Sequence, residues 1–132
     1  MRCGIDVGGT KIETAILSDS GEFLCRERTT TPDNYKELLH AIKESVENSA
    51  NNTGYVGPIG ICMPGSVSKQ TGLIKGANTT YLNGQNFQKD LQATLNRSVR
   101  LSNDANCFAL SEAIEGSGKG SAVVFGVIIG TG

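Results

Sequence analysis

Apolar positions along the chain change their period after Thr31-Pro32. Before that point three short strand-like runs follow one another, Cys3 to Asp6, Thr14 to Leu17 and Phe23 to Arg28. The last two are separated by Ser18-Asp19-Ser20-Gly21, a turn-forming cluster of hairpin length, so the opening reads as a β-meander. After that point Tyr35, Leu38, Leu39, Ile42 and Val46 recur at helical spacing. Asn34 and Glu37 are placed as a capping box, and Asn51-Asn52-Thr53-Gly54 as the stop. The single histidine, His40, falls off the apolar stripe and is expected at the surface.

Val56 to Met63 reads as a β-rich run closed by Pro64-Gly65-Ser66, and Val67 to Gln85 as loops and short hairpins with Asn83-Gly84 as a turn. Phe87, Leu91 and Leu95 predict a short helix, and Val99 to Leu101 a short strand. Ala105, Phe108, Ala109 and Ala113 predict a third helix, stopped by Gly116, Gly118 and Gly120. Ala122 to Ile129 is a β-branched apolar run suited to a strand buried on both faces. A meander followed by alternating helices and strands indicates an α/β layered domain.

Length and charge narrow what such a domain does. A chain of 132 residues is one domain's worth and can enclose a real core. Its 17 glycines follow no collagen-like period, so they serve backbone geometry. Twelve basic against 13 acidic residues, with no basic block, argue against nucleic acid as a partner. The longest apolar stretch is too short to cross a bilayer, and the N-terminus lacks a signal-peptide pattern, so a cytosolic location is expected. Cys3, Cys25, Cys62 and Cys107 stand far apart, mostly in apolar segments and without a C-x-x-C pair. They are expected to be buried, reduced thiols.

Four groups of residues could carry chemistry. Asp6-Val7-Gly8-Gly9-Thr10-Lys11 lies between two predicted strands. Adjacent glycines permit positive φ and close backbone approach, so that N–H groups, the Thr10 hydroxyl and Lys11 can face a nucleotide phosphate. Asp6 is suited to holding water on a Mg2+ ion that bridges those phosphates. The spacing is neither a P-loop nor a dinucleotide fingerprint, and a tight hairpin turn is the competing reading. In Ser102-Asn103-Asp104-Ala105-Asn106 a carboxylate at a sheet edge could take a proton from a hydroxyl, with Asn103 orienting the substrate. A plain helix cap explains the same residues equally well. Pro64-Gly65-Ser66 with Gly76-Ala77-Asn78-Thr79-Thr80 offers polar loops for a hydroxyl-rich ligand, or simply turns. Gly130-Thr131-Gly132 is a second small-residue loop, compatible with another phosphate contact.

Taken together, Asp6 to Lys11, Pro64-Gly65, Asn78, Leu101 to Glu112 and Ile128 to Gly132 resemble, in order and context, the N-terminal half of ROK-family sugar kinases. The resemblance spans essentially the whole chain. It implies the actin-like ATPase (ribonuclease H-like) fold, an α/β domain with a mixed sheet and flanking helices. Within the family, Lys75 to Asn83 and the run from Val99 to Ala113 look most like bacterial fructokinases, also described as manno(fructo)kinases. N-acetylglucosamine kinases share much of the second run.

Position by position, the resemblance implies that Asp6, Gly8, Gly9, Thr10 and Lys11 form a first phosphate loop, with Asp6 helping to organise Mg2+ and ATP. Gly130, Thr131 and Gly132 would begin the second. Asp104 matches the family's catalytic base for the sugar 6-hydroxyl, and Asn103, Asn78 and Gly65 match sugar-binding positions. The implied activity is ATP-dependent phosphorylation of a hexose, fructose first, with N-acetylglucosamine or glucose as alternatives. The implied partner is that hexose, and a homodimer of the full-length protein is compatible with the resemblance. On this reading residues 1–132 are the N-terminal lobe of a two-lobed kinase. The zinc ligands of the family would lie in the other lobe, and the isolated chain is expected to be inactive. A sugar-responsive regulator of the same family is the other class of function, but only five residues precede Asp6, leaving no room for a DNA-binding module. A non-catalytic sugar-binding module is the third.

Overall fold

The computed structural model describes residues 1–128. Strands β1 (Arg2–Val7), β2 (Lys11–Leu17) and β3 (Phe23–Thr30) form the expected antiparallel meander. Helix α1 (Tyr35–Thr53) then carries the chain back so that β4 (Ile59–Met63) pairs in parallel with β1. A small hairpin, β5 (Ser66–Val67) with β6 (Ile74–Lys75), and a 3-10 turn at Thr80–Leu82 precede helix α2 (Phe87–Leu95). Strand β7 (Val99–Asn103) pairs in parallel with β4 and leads directly into helix α3 (Asp104–Ile114). The main sheet has the order β3-β2-β1-β4-β7.

One face of this sheet carries the core. In β1, Cys3, Ile5 and Val7 are buried while Arg2, Gly4 and Asp6 are exposed. Ile59, Ile61 and Met63 repeat the alternation in β4, as a half-covered sheet requires. Helix α1 lays Leu38, Ile42 and Val46 on that face. Its buried stripe also includes Ser45 and Ser49, which a hydrophobic pattern does not reveal. Ser45 bonds the equally buried Thr14 hydroxyl of β2 at 2.8 Å, so neither polar group is left unsatisfied. Asn34 caps the helix by accepting from the Glu37 N–H at 3.0 Å, and Gly54 ends it at φ 74°. Helix α2 adds Phe87 and Leu91, and is joined to α1 where the Tyr35 hydroxyl donates to Asp90 at 2.6 Å.

Helix α3 sits on the opposite face of the sheet. Cys62 points away from its buried neighbours Ile61 and Met63, and its sulfur is bonded to that of Cys107 in α3. The expectation of four reduced thiols is therefore corrected for this pair. Cys62 and Cys107 are 45 residues apart in sequence, and parallel pairing of β4 with β7 is what brings the start of α3 beside the end of β4. Cys3 and Cys25 do remain free. Burial pushes the Cys3 thiol up to about 11, with the charge of Arg97 acting against that rise.

The third helix forms as expected, but none of its residues is buried, and Phe108, Leu110 and Ile114 are exposed. One further expectation fails. The 122–128 run forms no strand; Val123, Phe125, Val127 and Ile128 are exposed. A strand exists only through bonds to a neighbour, and within the described residues this run lies against α3, not in the sheet. A Cβ placed on Gly126 would come within 3.0 Å of Ala109. Residue 129 lies outside the described residues. His40 is on the surface as expected, facing Glu44 across one turn at 3.4 Å. No helix among the described residues is long and apolar enough to cross a membrane.

Ile42 is fully buried between α1 and the sheet. Ile42→Ala is expected to destabilise the fold by about 2–5 kcal/mol, read from the urea midpoint at constant m-value. A loss below about 0.5 kcal/mol would mean that α1 is not seated as described.

Candidate active site

The three parallel strands end flush. Asp6 of β1 is level with Cys62 of β4, Cys62 with Ser102 of β7, and Met63 with Asn103. The chain leaves this edge through Gly8–Thr10 after β1, Pro64-Gly65 after β4 and Asp104 after β7. The carboxyl edge of parallel strands is where open α/β sheets take ligands, because strand ends and helix N-termini converge there. Asp6, the glycine loop, Gly65, Asn103 and Asp104, taken from the sequence as separate candidates, are thus brought to one edge.

Asp6 belongs to the exposed face of β1, opposite the core residues Ile5 and Val7. Its carboxyl is held above its ordinary 3.8 by desolvation first, then by the charges of Asp104 and of Glu13, its cross-strand partner on β2. Glu13 itself is shifted down, chiefly by hydrogen bonds from Arg28 and Arg26. The Arg26 and Arg28 Nε atoms lie 2.7 and 2.8 Å from its carboxylate. Repulsion between Asp6 and Asp104 marks a place where a cation would be stabilised. A hard divalent ion such as Mg2+ takes carboxylate and water oxygens, and Asp6 is the residue here that could hold it through water.

The glycine loop is a tight hairpin closed by the Gly8 N–H donating to the Lys11 carbonyl at 2.9 Å. Neither Gly8 nor Gly9 adopts positive φ, so that part of the expected reason for the glycines is corrected, while close backbone approach remains. What the loop uses is the missing Cβ. A side chain on Gly8 would meet the Lys11 carbonyl at 3.0 Å, and one on Gly9 would project toward the Thr79 hydroxyl, 4.0 Å away. Gly9, Thr10 and Lys11 are exposed residues at the tip of this loop.

Asn103 takes the helix-cap role that the sequence left open between it and Asp104. Its side-chain oxygen accepts from the N–H groups of Ala105 (3.0 Å) and Asn106 (3.3 Å), so it is the cap of α3. Its side-chain nitrogen donates to the Gly65 carbonyl at 2.8 Å, tying β7 to the loop after β4. With the cap supplied by Asn103, Asp104 is an exposed first-turn residue whose carboxylate, among the described residues, accepts from the adjacent Ala105 N–H alone, at 2.8 Å. Most of its oxygen lone pairs face solvent.

Gly65 has φ +78°, and a Cβ there would stand 2.6 Å from the Lys75 carbonyl, so the β4–β5 corner closes only with glycine. Asn78 lies on the neighbouring loop, exposed, with its side-chain oxygen accepting from the Thr79 N–H at 3.0 Å. Together with Gly9, Thr10, Thr79 and Tyr81 it lines an open groove of about 370 Å³. Asn83 holds that loop in shape through two 2.9 Å bonds to the Ala77 backbone. Gly130, Thr131 and Gly132 lie outside the described residues.

Sequence reasoning missed Thr31, Asn83 and the Cys62–Cys107 pair. Asn83 carried a signal as a turn residue, but its partner is six positions back. Thr31 read only as the boundary before α1, yet it is buried beneath the glycine loop.

The chain is similar to known sugar kinases along its whole length. N-acetyl-D-glucosamine kinase of Haemophilus influenzae is 42% identical over 133 residues, covering 100% of this chain and 44% of that protein. An N-acetylgalactosamine kinase of a Shewanella species is 40% identical, covering 100% of this chain and 43% of its own length. The chain therefore spans less than half the length of these relatives. The crystal structure of a ROK family glucokinase from Streptomyces griseus, in complex with glucose and AMPPNP, superposes with a TM-score of 0.80 at 25% identity. That match covers 90% of this chain and 38% of the glucokinase. The actin-like ATPase fold expected from the sequence is shared with these structural neighbours. The ROK family model matches residues 2–132, essentially the whole sequence, and the chain belongs to the ROK family.

Proposed function

We propose that the protein is a sugar kinase that transfers the γ-phosphoryl group of ATP to the 6-hydroxyl of an N-acetylated hexosamine, N-acetyl-D-glucosamine foremost. The observation that carries this reading is Asp104. It is an exposed carboxylate at the end of β7, relieved of capping by Asn103 and close enough to Asp6 to raise that residue's pKa. The choice of sugar rests on relatives that act on N-acetyl-D-glucosamine and N-acetylgalactosamine. Fructose, which the loop resemblance favoured, becomes the second choice.

Each residue then has a physical task. Gly9 to Lys11 present N–H groups, a hydroxyl and an ammonium to the phosphates, while the Gly8 N–H closes the hairpin on the Lys11 carbonyl. Phosphoryl transfer depends mainly on such positioning and charge neutralisation. Asp6 would hold Mg2+, which supplies neutralisation of phosphate charge when bound. Asn78 donates to and accepts from sugar hydroxyls, Asn103 has its second side-chain N–H to donate to one, and the Gly65 backbone closes the sugar side. Asp104 accepts the proton of the 6-hydroxyl as its oxygen attacks phosphorus.

In the intact protein, Asp104→Asn is expected to lower kcat by roughly 10²–10⁴-fold while leaving the sugar KM within a few-fold. A coupled assay against N-acetylglucosamine, fructose, glucose and mannose checks both claims. Near-normal turnover of the variant removes Asp104 from the chemistry, and fructose as the best substrate overturns the choice of sugar.

Asp6 generates a second expectation. Its folded carboxyl takes up a proton at higher pH than the unfolded value of 3.8, so its stabilising contribution is complete below that value and is lost as pH rises through the folded pKa. Asp6→Asn is therefore expected to be more stable than the parent at pH 7, by a margin that shrinks toward pH 3, while losing turnover. Denaturant midpoints at both pH values decide; a variant less stable at pH 7 contradicts the electrostatic account.

A further inference from the structure

The corner between β3 and α1 touches both loops of the candidate site. Thr31 is buried, at 7% exposure, and makes two bonds to the glycine loop. Its hydroxyl donates to the Gly8 carbonyl at 2.7 Å and its backbone N–H to the Thr10 carbonyl at 3.0 Å. Both ends of the three-residue turn are thus held by one residue. The next carbonyl along the chain, that of Pro32, accepts from the Tyr81 hydroxyl at 2.7 Å. Tyr81 belongs to the 3-10 turn that follows Asn78 and Thr79. A continuous path of short bonds therefore runs from the glycine loop through Thr31-Pro32 to the Asn78 loop. The groove of about 370 Å³ lies between the two loops, with Pro32 and Tyr81 in its wall.

We propose that Thr31 and Tyr81 are positioning residues that brace the Gly8–Thr10 loop and the Asn78–Thr80 loop against the Thr31-Pro32 corner, fixing the gap between them. The proposal rests on the reading of those loops as phosphate and sugar contacts. Desolvation first, and then the charge of Asp33, raises the Tyr81 hydroxyl above its ordinary value of 10.0, so it is a donor throughout the neutral range. Without the Thr31 hydroxyl, the half-buried Gly8 carbonyl loses its protein partner, and the loop relaxes away from its tight turn. Without the Tyr81 hydroxyl, the Asn78 loop loses its tie to the same corner. Each change acts on the placement of a bound group and leaves the reacting atoms in place.

The test uses the intact protein, with initial rates measured against ATP at saturating sugar and against sugar at saturating ATP. Thr31→Val is expected to raise the ATP KM roughly three- to tenfold with kcat within about threefold, the range for loss of one hydrogen bond, and Thr31→Ser to restore it. Tyr81→Phe is expected to raise the sugar KM by a similar factor. Unchanged KM values in both variants, or an equal fall in kcat without a KM change, overturn the brace. Should Thr31→Val fail to fold, Tyr81→Phe decides alone, since it removes one oxygen from a half-buried site. Gly9→Val separates the two levels of the claim. If it raises the ATP KM and Thr31→Val does not, the brace fails while the phosphate loop stands. If Gly9→Val also leaves the ATP KM unchanged, the phosphate-loop reading fails first.

Discussion

Parallel register between β1, β4 and β7 is the constraint on which the rest of the molecule depends. Ile5 pairs with Ile61, and Ile61 with Leu101, so three strands that are distant in sequence end level with one another. The register is enforced by the core, because Ile5, Val7, Ile61 and Met63 are all buried under α1 and α2. A slip of one residue in β1 would drive Asp6 into that core and turn Ile5 to water, a change no small domain tolerates. The position of the Asp6 carboxylate is thus a by-product of hydrophobic burial on the other face of the same strand. Asp104 follows by the same logic, since it is the first residue after β7 and the first of α3.

Polar groups at this edge divide into those held by protein partners and those left exposed. Asn103 satisfies the first N–H groups of α3 and ties down Gly65, and Asn83 satisfies the Ala77 backbone. Thr31 holds the glycine loop from beneath. These residues are anchored by protein partners, whereas Asp104, Thr10, Lys11 and Asn78 are exposed to whatever enters the edge. Repulsion between Asp6 and Asp104 is a local cost in the folded state, of the kind that functional sites carry and a bound cation relieves.

The meander, α1, α2, β7 and α3 were legible because each is specified by a local pattern. Alternation sets the strands, helical spacing sets the helices, and Asn34 and Gly54 act as cap and stop where the sequence places them. Features created by the sheet were not legible. Cys62 meets Cys107 only because β4 and β7 are neighbours, and Thr31 reaches Gly8 across 23 positions. The 122–128 run misled because β-branched composition reports a tendency to pair without naming a partner. At the site, residue types identified Asp6, Asn103 and Asp104, but only geometry assigned the cap to Asn103 and left Asp104 available. The choice of sugar was least legible, since Lys75 to Asn83 are mostly loop residues whose shape depends on contacts elsewhere.

The most direct test of the convergence of these loops is a crystal structure of the intact protein with Mg2+, a non-hydrolysable ATP analogue and N-acetyl-D-glucosamine. The account predicts the phosphates against the Gly8–Lys11 backbone and the sugar 6-hydroxyl about 3 Å from the Asp104 carboxylate, a distance that permits proton transfer. A sugar bound with its 6-hydroxyl away from Asp104, or phosphates seated elsewhere than on the glycine loop, would contradict it.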